Sequence, residues 1–375
     1  MTITEALGSR IAPRRAAWSA ALKAISSKSL EFRPDFPEVA RRWERWWHFE
    51  AERPLLVGSV AKRTDIRWDK AFDLLEQPDA WLRVRRQQLE GLHWFGDTVP
   101  SIRVDLGPVV TGAMLGAPLH FAPADNTSWQ TPSIASCSDD AIPRLDPRTH
   151  WLKVILALAD RTAQDAAGRY VVNLPDFSGA VDILANLRGS ENLLMDLYDS
   201  PGWVMRAADR TVDAWEHAFG RFYETVLSHG AGAIGWLQVW SDEPYTIPTC
   251  DFNYMIGPEQ FRQFCLPSLA EQGRRAGRCL LHVDGPGAAK HAEALAEAPE
   301  ITAVQFTPGA GTPSALPWID MFRMLQRARK PLVVICPVAE VAKIVNALDH
   351  RGLTLIPEGI STPHEADDLF DLVSR

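Results

Sequence analysis

The stretch CLLHVDGPGAAKHAEALAEAPEITAVQF, residues 279–306, holds two short apolar runs, over 279–283 and 301–306, on either side of an alanine- and glutamate-rich segment over 288–297. A central segment of that length and composition reads as a helix, and the flanking runs read as strands covered on both faces. Strands without polar alternation, joined through a helix, pair in parallel. The stretch is therefore a βαβ unit.

The same rhythm continues in both directions. Downstream, a helix over 318–329, a strand over 331–335, a helix over 339–348, a strand over 353–356 and a helix over 363–373 close the chain. Upstream lie a helix over 258–276, a strand over 233–240, helices over 180–187, 191–198 and 203–228, a strand over 170–174 and a helix over 151–167. Residues 107–148 are irregular and rich in Pro, Thr, Ser and Asp, the mark of a functional loop. Before them the pattern predicts a strand over 98–106, a long amphipathic helix over 71–95 and a strand over 54–60. So many strand–helix units predict an α/β fold, a single (β/α)8 TIM barrel over residues 51–375 with an N-terminal helical extension over 1–50. A doubly wound open sheet is the alternative.

The 375 residues carry 39 basic and 47 acidic side chains, a formal charge of −8. That balance argues against a nucleic-acid or anionic-membrane surface. Five scattered cysteines without a CxxC pair point to reduced thiols, and no secretory or membrane-spanning segment is read, so the expected location is cytoplasmic. The chain has no GxGxxG, no GxxxxGK[ST] and no GxSxG, which disfavours nucleotide-driven and serine-hydrolase chemistry.

In a parallel barrel the reacting groups stand just past the C-terminal ends of the strands. His282 and Asp284 sit two apart at such an end and point the same way, with Gly285 and Gly287 behind them. As an isolated pair they fit a hydrogen-bonded histidine and a helix-capping aspartate equally well. Glu358 ends the last strand in Pro357-Glu358-Gly359, and Gln305 interrupts an otherwise apolar strand. Gln238 and Trp240 would share one face of their strand, with Asp242 and Glu243 beginning the loop. With 14 Trp against 5 Tyr, indoles such as Trp129, Trp236, Trp240 and Trp318 become candidates for stacking on sugar rings or alkylated ammonium groups.

The second half resembles the uroporphyrinogen decarboxylase superfamily, which includes the decarboxylase of haem synthesis and the corrinoid-linked methyltransferases. The resemblance rests on Met255-Ile256-Gly257-Pro258-Glu259-Gln260-Phe261 running into Phe264-Cys265-Leu266-Pro267, then His282-Val283-Asp284-Gly285, the Gln305 strand and Pro357-Glu358-Gly359. It extends from about residue 170 to the C-terminus, is faint over 95–108, and implies the (β/α)8 fold.

The methyltransferase branch holds zinc through a His-x-Cys pair and a second Cys about 75 residues later. Here His282 matches the histidine, Asp284 stands for the first cysteine, and Glu358, 74 residues on, stands for the second. The implied metal set is His282, Asp284 and Glu358, suited to Zn²⁺ and also to Mn²⁺ or Fe²⁺, with Cys336 as a spare ligand. Substituting carboxylates for thiolates implies activation of an oxygen nucleophile in place of a thiolate. The Arg-rich substrate segment of the haem-pathway decarboxylase is missing; Arg63, Arg67 or Arg103 would have to hold a carboxylate, with Asp97 or Asp105 for its aspartate.

The function these readings predict is metal-assisted methyl transfer on a small polar, methylated substrate, with a corrinoid protein as methyl acceptor. Asp284, Glu358 and Gln305 would be catalytic, and Gln238, Trp240, Trp129 and Arg103 would hold the substrate. The alternatives are a lyase, hydrolase or decarboxylase acting on a sugar-like or carboxylated molecule, with Asp284 and Glu358 as acid and base, and a non-catalytic binding barrel. The partners expected are the small-molecule substrate and the corrinoid protein, with a homodimer left open.

Overall fold

The computed structural model describes residues 3–142 and 144–374. Its strands are β1 (Leu55–Ala61), β2 (Leu92–Gly96), β3 (Ser101–Arg103), β4 (Leu119–Ala122), β5 (Thr127–Gln130), β6 (Val171–Asn173), β7 (Ala233–Ile234), β8 (Tyr245–Thr246), β9 (Arg278–Asp284), β10 (Ala303–Thr307), β11 (Leu332–Pro337) and β12 (Leu353–Glu358). One sheet has the order β2-β1-β12-β11-β10-β9-β8, a second β3-β6-β7, and β4 and β5 form a hairpin. All pairs in the first two sheets are parallel except β1 with β2. The fold is thus α/β with a mostly parallel central sheet.

In chain order β3, β6 and β7 fall between β1 and β8 of the larger sheet, and polar contacts link the two sheets. Asp97 donates its backbone N–H to the Leu56 carbonyl at 2.6 Å, and Gly58 donates to the Thr98 hydroxyl at 2.7 Å, joining β1 to the segment that leads into β3. At the other seam Gly235, just past β7, donates to the Tyr245 hydroxyl of β8 at 2.6 Å.

The helix Phe36–Trp47 shows why the N-terminal segment adheres to this sheet. Phe36, Val39, Ala40, Trp43, Trp46 and Trp47 recur at three- and four-residue spacing and are all buried. The indole N–H of Trp43 bonds to the Asp97 carbonyl and that of Trp47 to the Trp240 carbonyl, so two large apolar rings are buried with their polar ends satisfied. One hydrophobic cluster runs from Leu22 to Val373. No helix among the described residues is long and apolar enough to cross a membrane.

Three elements differ from the sequence reading. The helix expected over 71–95 is a short turn at Phe72–Leu74, a helix over Pro78–Glu90 and then β2, antiparallel to β1. Pro78 forces a helix start, and the strand-favouring His93, Trp94 and Phe95 follow Gly91. The strand expected over 233–240 ends at Ile234; Gln238 has φ +60° and donates its N–H to the Gly235 carbonyl in a turn. The supposedly irregular 107–148 contains the short helix Val110–Met114 and the β4–β5 hairpin.

Candidate metal centre

β9 is buried along its whole length until its last residue, so its end is the first point where a polar side chain meets solvent. His282 is 9% exposed and Asp284 follows on the same side of the strand. Directly after Asp284 the chain turns at Gly285 (φ +68°), which abuts Gly309 (φ +85°) beyond β10. A Cβ on Gly309 would lie 2.8 Å from the Gly285 Cα and 3.5 Å from an Asp284 carboxylate oxygen. Two glycines in the left-handed region thus let neighbouring strand ends converge beneath the carboxylate.

The third group is Asp251, in the turn Asp251–Met255 after β8. Asp251, His282 and Asp284 each offer one ligand atom, and these atoms all lie within 4.8 Å of one another. Asp251 is aimed by Asp182, in the first turn of helix Ala180–Arg188. The Asp182 carboxylate accepts hydrogen bonds from Thr249 Oγ1 (2.7 Å) and from the backbone N–H groups of Asp251 (2.8 Å) and Phe252 (3.0 Å). The backbone N–H of His282 donates to the Pro248 carbonyl, so the turn is fastened to β9 on its other flank.

The imidazole is prepared as a ligand. Gln305, fully buried on β10 opposite His282, donates Nε2–H to Thr307 Oγ1 at 2.9 Å, which turns its Oε1 toward His282 Nδ1. In that arrangement the proton sits on Nδ1 and the Nε2 lone pair is free. Burial holds the His282 pKa below its usual value, against the opposing influence of Gln305 and Asp284, which favours the neutral, ligating form. The Asp251 carboxyl is pushed up by burial and then by the Asp284 charge. A cation between the two carboxylates would relieve that repulsion, and an imidazole with two carboxylates is a set that Zn²⁺, Mn²⁺ and Fe²⁺ accept.

A cavity of about 300 Å³ abuts the cluster through Asp251, with Asp176, Ser178, Asp182, Thr249 and Phe252 in its wall. Asp176 is 9% exposed and burial pushes its pKa up to about 7, with Arg103 pulling the other way. Beside it, Trp236 stands edge-on to the His282 ring at 5.1 Å, and the Arg103 guanidinium lies over that indole at 5.8 Å. Arg103 at the end of β3, Trp236 in the turn after β7 and His282 on β9 thus line up side by side.

Asp176 has a consequence for stability. Its folded pKa lies above the unfolded value, so between about pH 4 and 7 the folded chain keeps a proton the unfolded chain has released, and stability falls as pH rises through that window. At ~1.4 kcal/mol per pKa unit, the loss between pH 5 and 8 is about 2–3 kcal/mol. Asp176→Asn removes it. Melts in chelator should show the variant gaining roughly 3 °C over wild type at pH 8 relative to its offset at pH 5.

The structure separates other residues from this cluster. Glu358 is exposed at the end of β12, opposite Pro337 of β11, and β12 is three strands from β9. At ~4.8 Å per strand that is about 14 Å along the sheet, and Asp251 stands where Glu358 was expected as third ligand. The spare ligand Cys336 is fully buried, and burial, with the charges of Glu340 and Glu358, pushes its thiol up to about 12, away from the thiolate a metal needs.

Trp240 is a core residue with no exposed face: it packs edge-on against Phe36 at 4.8 Å and donates its indole N–H to Ser26 Oγ. Gln238 no longer shares a strand face with it, because β7 has already ended. Trp129 is 54% exposed on β5, stacked on His120. Asp97 is consumed by Arg42 and Arg53, and Asp105 by Lys70 at 3.3 Å and the Gly107 N–H at 2.9 Å.

Asp251, Asp176 and Asp182 escaped the sequence reading. Asp251 follows a strand of only two residues, too short to show as an apolar run. The one available signal was the polar interruption Thr249-Cys250-Asp251 after Ile247-Pro248.

A parallel α/β fold thus gathers an imidazole and two carboxylates, a group that could hold a metal ion, around the C-terminal end of β9. No family model matches the chain, and no curated protein matches it. Among solved structures it is similar to a methyltransferase from Methanosarcina mazei, with a TM-score of 0.59 and 15% identity over 89% of this chain and 97% of the other. At that identity the likeness is one of fold.

Proposed function

We propose that the chain is a metal-assisted, methyltransferase-like enzyme on a closed (β/α)8 barrel, a divergent member of the uroporphyrinogen decarboxylase superfamily. The observation that carries the reading is the convergence of Asp251, His282 and Asp284 at a strand end, with the His282 tautomer fixed by Gln305. The barrel reading is supported by the place of β3, β6 and β7 in the chain between β1 and β8 of the larger sheet, and by the hydrogen bonds that link the two sheets on either side. The fold likeness to a methyltransferase agrees with it.

His282, Asp251 and Asp284 would hold a divalent ion, zinc being the leading choice. When bound, it supplies Lewis acidity that lowers the pKa of a coordinated hydroxyl or water. Gln305 keeps the His282 Nε2 lone pair outward, and Asp182 keeps Asp251 in range. The cavity beside Asp251 receives a small polar, methylated molecule against Phe252 and the Asp176 carboxyl. A corrinoid protein is the methyl acceptor in this reading. Asp176, at about 7, also favours a second reading, lyase or hydrolase chemistry, in which it holds or releases the proton at its carboxyl oxygen.

Zinc titration of the apo-protein, with Asp251→Asn and Glu358→Gln compared to wild type, tests the ligand set. Glu358→Gln should bind one ion per chain with wild-type affinity. Asp251→Asn should weaken binding by at least the roughly 10–100-fold that loss of an outer partner costs. Equal affinity in Asp251→Asn would end the proposal. Methyl transfer from simple methylated amines and ethers to free cob(I)alamin separates the two reaction classes.

A further inference from the structure

A larger cavity, about 510 Å³, opens at the start of β1, at the opposite end of the parallel strands from His282. Arg41, Arg42, Arg45 and Arg53 line it, together with Glu52 and Leu55. We infer that this cavity is a binding site for a phosphate-type dianion, either inorganic phosphate or the phosphate of a small monoester.

The charge balance points to such a ligand. Arg45 is paired with Glu52. Arg42 and Arg53 share one carboxylate, Asp97, whose side chain is completely buried behind them. Arg41 is exposed and has no carboxylate within ion-pair distance among the described residues. Among the described residues four guanidinium groups therefore face two carboxylates, and two positive charges remain. The last turn of helix Pro363–Ser374 reaches the wall through Ser374, and its dipole contributes about half a negative charge there.

The geometry is fixed before a ligand arrives. Arg42 binds Asp97 through Nε at 2.6 Å, leaving its two terminal nitrogens without a hydrogen-bond partner among the described residues. Arg53 is held by Asp97 at 2.8 and 2.9 Å, by the Pro54 carbonyl at 2.8 Å, and over the Phe370 ring at 4.8 Å. Arg42, held through Nε, presents its two terminal nitrogens to phosphate oxygens at little further cost in side-chain freedom, and Arg53, its donors largely engaged by Asp97 and Pro54, contributes charge. The metal centre has no part in this site, so the two proposals stand separately.

Calorimetric titration of the full chain with inorganic phosphate, and separately with glycerol 3-phosphate, at constant ionic strength and with chloride as the control anion, tests the site. Wild type should bind at least one of the two at least tenfold more tightly than chloride, and the tighter of the two names the source. Arg41→Gln/Arg45→Gln, which leaves the Asp97 cluster intact, should lose at least tenfold of that affinity while keeping wild-type circular dichroism and zinc stoichiometry. Phosphate and glycerol 3-phosphate affinities no better than that of chloride, or unchanged in the folded double variant, would overturn the inference.

Discussion

His282→Ala should leave the protein with less than a tenth of an equivalent of zinc after dialysis, where wild type retains about one, and should abolish metal-dependent turnover. The substitution removes the one neutral ligand of the set. Asp251 and Asp284 would then have to hold the ion alone, although burial and mutual repulsion already disfavour ionising Asp251 beside Asp284. It also strands the buried Gln305 Oε1 that His282 Nδ1 satisfies, so a modest stability loss of about 1–3 kcal/mol accompanies the metal loss. Gln305→Leu separates the two effects. The imidazole stays but loses its orienting partner, and metal affinity should fall by roughly 10–100-fold without vanishing. Inductively coupled plasma analysis and a thermal melt on each variant read both quantities. Full zinc content in His282→Ala would show that the ion is held elsewhere.

The second large effect lies far from the metal. Asp97→Ala should destabilise the protein by about 3–5 kcal/mol, because it leaves Arg42 and Arg53 without their shared counter-charge and removes the acceptor for the Leu56 N–H. With ~2.1 cal/mol/K of unfolding entropy per residue, that energy lowers Tm by roughly 4–6 °C in a chain of 375 residues. Arg53→Met, which keeps the Arg42 pair and the packing on Phe370, should cost distinctly less. A melt of Asp97→Ala within 1 °C of wild type would mean that the two arginines are fully hydrated and that the ion cluster does not anchor β1.

The parallel βαβ rhythm was legible because buried parallel strands are apolar from end to end, and residues 279–306 and 331–356 show that directly. His282 and Asp284 were legible for the same reason: they break an apolar run at its C-terminal end. The third residue of the cluster, Asp251, was not. Spacing along the chain pointed to Glu358, but distance in a sheet is set by strand order, and three strands separate β12 from β9. Asp251 enters from a turn whose position depends on Asp182, 69 residues earlier, and no local pattern encodes that hydrogen bond.

The reading of Trp240 failed through context. An indole near an apparent strand end looks like a binding surface, yet the helix Phe36–Trp47 covers it completely. Gln238 was misplaced because Val239 and Trp240 extend the apolar composition of β7 past the point where the backbone turns.

The most direct test of the central claim is a crystal structure of zinc-loaded protein with anomalous data at the zinc edge. The ligand set described here predicts one peak about 2.0–2.2 Å from His282 Nε2 and from a carboxylate oxygen of each of Asp251 and Asp284. A zinc peak ligated by Glu358 or Cys336 in place of Asp251, or no peak at the end of β9, would contradict it.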